Sequence, residues 1–70
     1  MTYIDIITKA KGRQSLSSLS RRSGVGVTTI HNWITGHSTP TMLNLTAFIV
    51  SCGYAGFKYT IKNGYELVPL

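Results

Sequence analysis

Apolar residues recur along the first fifty positions at intervals of three and four, the spacing of one face of an α-helix. Tyr3, Ile4, Ile7 and Ala10 form the first such set and predict a helix from Thr2 to about Lys11. Thr2 is suited to cap it, with Asp5 three residues on as in a capping box, and Gly12 can end it in a left-handed conformation. Leu16 and Leu19 predict a short second helix from Leu16 to about Ser23, capped by Ser15, with its other serines as small polar filler. Gly24-Val25-Gly26 is a sharp stop. A third helix is expected from Val27 to about Thr35, with Ile30, Trp33 and Ile34 facing inward and Gly36 ending it. After a loop from His37 to Thr39, Pro40 or Thr41 opens a fourth helix to about Cys52, stopped by Gly53. Its inward face is Met42, Leu45, Phe48, Ile49 and Cys52.

The period then changes from helical to alternating. Phe57, Tyr59 and Ile61 interleave with Lys58, Thr60 and Lys62, and Asn63-Gly64 precedes Tyr65 to Val68. Asn-Gly between alternating segments is a strong hairpin signal, because a type I′ turn needs positive φ at both central residues. Such a turn pairs Ile61 with Glu66, Tyr59 with Val68 and Phe57 with Leu70, an apolar face expected to cover the helices. Lys62, Thr60, Tyr65 and Leu67 fall on the mixed opposite face. The predicted fold is mainly α: a four-helix unit over 1–53, then a β-hairpin over 54–70 that packs on it or builds a dimer.

A chain of 70 residues buries a thin core. Its single cysteine, Cys52, forbids an internal disulfide, and Cys52, His31 and His37 match no metal-ligand spacing, so no cofactor or metal is expected. Dimerisation is the remaining aid to stability. Seven Lys and Arg against Asp5 and Glu66 give a net charge of +5, which points to a polyanionic partner. The cations fall in three places: Lys9, Lys11 and Arg13; Arg21 and Arg22; Lys58 and Lys62. No apolar run approaches the roughly 20 residues that span a bilayer. The lone cysteine and the absence of a signal-peptide layout at the start fit a cytoplasmic setting.

Two short helices joined by a tight glycine turn form a helix-turn-helix unit, whose second helix must be held rigidly so that its outer face is free to read base edges. Leu19, Val25, Ile30 and Trp33 supply apolar packing between the helices, and Gly24 supplies a turn conformation that a Cβ resists. The stretch Leu19 to Gly36, followed by Pro40 and the helix to Gly53, resembles the lambda-repressor-like helix-turn-helix family of Cro proteins, phage repressors and xenobiotic-response-element regulators. The likeness covers about half of the chain. Departures are Gln14 and Ser23 at usually apolar positions, Leu16 where a phosphate-binding glutamine is common, and Gly26 in place of a Ser or Thr cap.

The resemblance implies that Val27, Thr28, His31 and Asn32 read bases. Asn32 has the chemistry for adenine N6 and N7, and Val27 for a thymine methyl. It implies phosphate contacts at Lys9 above all, with Lys11, Arg13, Arg21, Thr29 and the loop residues His37, Ser38 and Thr39 as further candidates. In the family that loop presents backbone N–H groups and hydroxyls to phosphates. Candidate dimer or hairpin-packing residues are Leu43, Ala47 and Val50 on the fourth helix, and Tyr59, Ile61, Tyr65 and Leu67 on the hairpin. A homodimer on a palindromic operator is the expected assembly.

Other chemistries find little footing. Gly24-x-Gly26 lacks the preceding strand and the Lys of a phosphate cradle. Cys52 falls on an apolar helix face, and Asp5 and Glu66 are far apart, so no enzyme is expected. The sequence therefore implies a short transcriptional regulator, with repression as its expected sense. A protein-binding module of antitoxin type, whose hairpin grips a partner, is the alternative.

Overall fold

Three of the four helices begin where a hydroxyl can take up a free amide. Thr2, Ser15 and Thr41 precede α1 (Tyr3–Lys11), α2 (Leu16–Ser23) and α4 (Met42–Ser51), and each accepts from the amide three residues on. At α1 the box closes in both directions: the Asp5 amide donates to Thr2 Oγ1 at 3.2 Å and the Thr2 amide to Asp5 Oδ2 at 2.9 Å. α3 (Val27–Thr35) differs, because Gly26 offers no side chain to its first turn. The computed structural model describes residues 1–70, and the four helices are followed by one antiparallel hairpin, β1 (Tyr54–Thr60) and β2 (Gly64–Pro69).

Helix ends set the turns. Gly24 sits at φ 76°, and its N–H returns to Ser20 C=O, while the Val25 amide donates to Ser23 Oγ at 3.1 Å. That second bond gives Ser23 a purpose that its polar character obscured in the sequence. Gly36 sits at φ 82°, with its N–H on Trp33 C=O and the His37 N–H on Asn32 C=O, a Schellman closure of α3. Gly12 departs from expectation. Its φ is 55° but its ψ is −127°, outside the left-handed helical basin, and its N–H still reaches Thr8 C=O.

The core comprises Ile6, Ile7, Ala10, Leu19, Ile30, Trp33, Leu45, Phe48 and Ile49, drawn from all four helices. Trp33 meets Phe48 edge to face, with ring centroids 6.0 Å apart and planes at 89°. Two inward assignments shift. Ile6, absent from the sequence pattern, is fully buried beside Ile7, because α1 is enclosed on a broad face by α3 and β2. Met42 is 65% exposed, since it opens α4 one turn outside the core. Cys52, at the other end of the helix, is half-buried.

The hairpin exists, but not in the expected register. Phe57 pairs with Leu67, Lys58 with Glu66, Tyr59 with Tyr65 and Thr60 with Gly64. Asn63 does not take positive φ, so the type I′ turn cannot form. Instead Ile61, Lys62 and Asn63 make a three-residue loop, closed by Gly64 at φ 71° and by the Asn63 amide on Thr60 Oγ1 at 3.0 Å. The register moves by three residues, an odd number, which turns β2 over. Phe57, Tyr65 and Leu67 therefore pack on the core together with Tyr54. Ile61, expected on the covering face, lies fully exposed at the loop tip, and Leu70 and Tyr59 are exposed too. Lys58 and Glu66 pair on the outer face at 3.8 Å. The Tyr65 amide donates to Met1 C=O at 2.8 Å, tying the start of the chain to the hairpin.

This register predicts opposite outcomes at two leucine-like positions. Ile61→Ser should change the unfolding free energy by less than about 0.5 kcal/mol, whereas Leu67→Ser should cost about 1–2 kcal/mol, both read by urea denaturation. The reverse ranking would restore the Asn-Gly turn.

The capping box predicts an acid limb of stability. The Thr2 amide, and then its hydroxyl, hold the Asp5 carboxyl below its ordinary value of 3.8. A lowered folded value means that the contribution is complete above the ordinary value and fades as pH falls through the folded one. The stability gap between the wild type and Asp5→Ala should thus be steady near neutral pH and close in acid. A gap unchanged down to about pH 2 would remove the carboxylate from the cap.

Candidate nucleic-acid interface

The outer face of α3 is defined by what its inner face buries. Ile30 and Trp33 are in the core, and Ile34 and Val25 pack at its edge. Helical spacing then sends Val27, Thr28, His31 and Asn32 to the opposite side, where 27 lies above 31 and 28 above both 31 and 32. Val27, Thr28, Thr29 and His31 are exposed, and Asn32 is half-buried.

Bonding on this face contrasts with that of the threonines elsewhere in the chain. Thr8, Thr35 and Thr46 turn their hydroxyls back to the carbonyl four residues earlier, and Thr2 and Thr41 spend theirs on caps. The side chains of Thr28, Thr29, His31 and Asn32 donate or accept no hydrogen bond within the chain. Thr28 and Thr29 stand in the first helical turn, where no helical carbonyl lies four residues behind. The same turn has no side-chain cap, so its amides point outward unopposed. α3 thus presents a rigid, uncharged strip of uncommitted donors and acceptors.

The cations belong to other elements, and α3 carries none. Lys9 and Lys11 occupy the last turn of α1, Arg13 follows in the link to α2, and Arg21 and Arg22 occupy the last turn of α2. Lys and Arg at these helix ends also complement the negative end of each helix dipole. Arg22 is committed to Gln14 Oε1, which accounts for a polar residue at a position expected to be apolar. Leu16, in place of a phosphate-binding glutamine, is partly buried against the core.

The α3–α4 loop differs from expectation in one respect. The His37 and Ser38 amides donate to Asn32 C=O at 2.9 and 3.3 Å, so they close α3 and are not free for an outside anion. What the loop offers outward is the side chains of His37, Ser38 and Thr39, all exposed, and the Thr39 amide, which bonds nothing within the chain. Thr39 Oγ1 lies 3.5 Å from Tyr3 Oη, a link from the loop to α1 with no counterpart in the sequence pattern.

The remaining candidates are on the other elements. Leu43 is 78% and Val50 50% exposed, and Ala47 between them is exposed, so these three do not seat the hairpin. Tyr65 and Leu67 do pack on the helices, while Tyr59 and Ile61 do not. Burial pushes the Cys52 thiol up from its ordinary range, with Ser51 and then Arg22 pulling weakly the other way, which suits a small apolar side chain at the end of α4. No helix is long and apolar enough to cross a membrane. Comparison with protein-family models, with curated proteins and with solved structures finds no match to this chain.

Proposed function

We propose that this protein binds duplex DNA sequence-specifically, laying the outer face of α3 in the major groove and acting as a transcriptional regulator of the kind its sequence resembles. The observation that carries the reading is the uncommitted polar strip on α3, held by a buried Trp33 and Ile30 on the reverse side. A helix is the element the major groove admits, and Thr, Asn and His offer both donors and acceptors to base edges. The uncapped first turn favours a phosphate near Thr28 and Thr29. The net charge of +5 supplies attraction that the uncharged helix does not.

A homodimer completes the proposal. The outer side of α4 presents Leu43, Ala47 and Val50 to solvent, and no charged residue occurs between Met42 and Ser51. Two copies that each carry +5 repel one another least where such a neutral apolar face is the contact. A two-fold pair would set two α3 helices about 34 Å apart, one turn of DNA, on a palindromic site.

Selection from a random duplex pool at physiological salt tests the central reading. It should enrich one motif, with inverted halves if the protein binds as a dimer. Failure to enrich any motif would favour the protein-binding alternative, for which exposed Tyr59 and Ile61 on the hairpin are the available anchors.

On the enriched site, Asn32→Ala should cost about 1–3 kcal/mol at one base pair while leaving non-specific binding nearly intact. Equal loss on every sequence would give Asn32 a phosphate or folding role. Lys9→Ala should instead lower affinity evenly across sequences and reduce the slope of log affinity against log salt by about one. A change confined to one base would make Lys9 a reading residue.

For assembly, light scattering of the full chain, free and with operator, should show a dimer that Leu43→Glu dissociates. A monomer under both conditions at high micromolar concentration would end the dimer proposal, and a dimer indifferent to Leu43→Glu would move the interface to the hairpin.

A further inference from the structure

The loop after α3 has spent its His37 and Ser38 amides on the helix end, so these two residues can meet an anion only through their side chains. One of them is held in a defined way. His37 Nδ1 lies 2.7 Å from Thr35 Oγ1, and Thr35 Oγ1 in turn lies 3.0 Å from His31 C=O and 3.4 Å from Asn32 C=O. A hydroxyl has one proton to donate, whereas a carbonyl can only accept. Sent to Nδ1, that proton would leave Oγ1 and His31 C=O facing each other at 3.0 Å as two acceptors, so the arrangement favours donation to His31 C=O. Oγ1 then faces the ring as an acceptor, and Nδ1 is the nitrogen that carries hydrogen.

From this we infer that Thr35 is a positioning residue, fixing His37 as the Nδ1–H form so that its Nε2 is the site that gains and loses the titrating proton. The inference rests on the DNA-binding reading and adds regulation to it: His37 grips a backbone phosphate in its protonated form and releases it when neutral. The neutral ring offers Nε2 only as an acceptor, which a phosphate oxygen rejects. The protonated ring offers an N–H, and the bond it makes is charge-assisted.

The surroundings leave that proton without an internal partner. From α1, the group that reaches this loop is Tyr3, through Thr39. From α3, His31 stands six residues earlier on the exposed face. α4 has no charged residue. Both carboxylates of the chain are engaged elsewhere, Asp5 with Thr2 and Glu66 with Lys58. No carboxylate side chain pairs with His37, and the anion has to come from outside.

Two measurements on the full chain test this. Ring ¹⁵N spectra of the neutral protein should show His37 as Nδ1–H, retained in Thr35→Ser and lost in Thr35→Val. Affinity for the selected duplex should be about tenfold stronger near pH 6 than near pH 8, the scale of one charge-assisted hydrogen bond. Thr35→Val and His37→Gln should each cut that ratio to about threefold or less, and Thr35→Ser should restore it. An Nε2–H ring in the wild type, or a wild-type pH ratio in Thr35→Val, overturns the proposal. If no duplex is bound at any pH, the DNA reading has failed and the phosphate role falls with it, while the ring spectra report separately whether Thr35 sets the tautomer.

Discussion

Trp33 and Phe48 meet edge to face at the centre of the protein, and the rest of the arrangement depends on that contact. Such pairs contribute about 0.5–1.5 kcal/mol beyond the area they bury, but the larger consequence is geometric. Trp33 belongs to α3 and Phe48 to α4, so the pair fixes the rotation of α3 about its own axis. With Ile30 on the same side and Leu19 entering from α2, one face of α3 is committed to the core. The orientation of Val27, Thr28, His31 and Asn32 toward solvent follows from that commitment. On the proposed reading this matters, because a helix able to roll would present a blurred set of side chains to the bases.

So small a core also explains the hairpin. Nine buried residues leave the end of α4 and one side of α1 open, and the Phe57, Tyr65 and Leu67 face closes over them. Two-stranded hairpins are marginal in water without such support. The support is mutual: the strands gain a packing surface, and the helices gain apolar cover that the chain has no disulfide to replace. Met1 C=O, taking the Tyr65 amide, fastens the end of this lid to the start of α1.

Local signals made the helices legible. Thr2 with Asp5, Ser15, Gly24 and Gly36 mark boundaries through side-chain and backbone chemistry that acts within a few residues, so their meaning survives without the tertiary structure. Burial near element ends was harder to read. Ile6 and Met42 both suit a helical face, and only the placement of neighbouring elements decides that one is enclosed and the other exposed. The hairpin register failed for a sharper reason. Asn-Gly is compatible with two loops, and the choice between them is made by which face of β2 the core accepts: Tyr65 and Leu67 fill it better than Glu66 and Val68 could. On the candidate interface, the spacing of Val27, Thr28, His31 and Asn32 was visible at once. The Thr35–His37 contact was not, because it depends on how the chain turns after Gly36, and neither was the use of the His37 and Ser38 amides in closing α3.

The cations and the uncommitted polar strip fall on different parts of the molecule. α3 carries none of the seven Lys and Arg residues, which lie on α1, α2, the link between them and the hairpin. On this account the flanks draw the protein to DNA and the uncharged strip chooses where it stays. The most direct measurement is a map of backbone amide shifts as duplex DNA is added at low ionic strength. The account predicts that the largest changes fall between Val27 and Asn32, with smaller ones at Lys9 and the His37–Thr39 loop and little change in β1 and β2. Changes centred on the hairpin or on the outer face of α4, with α3 silent, would contradict it.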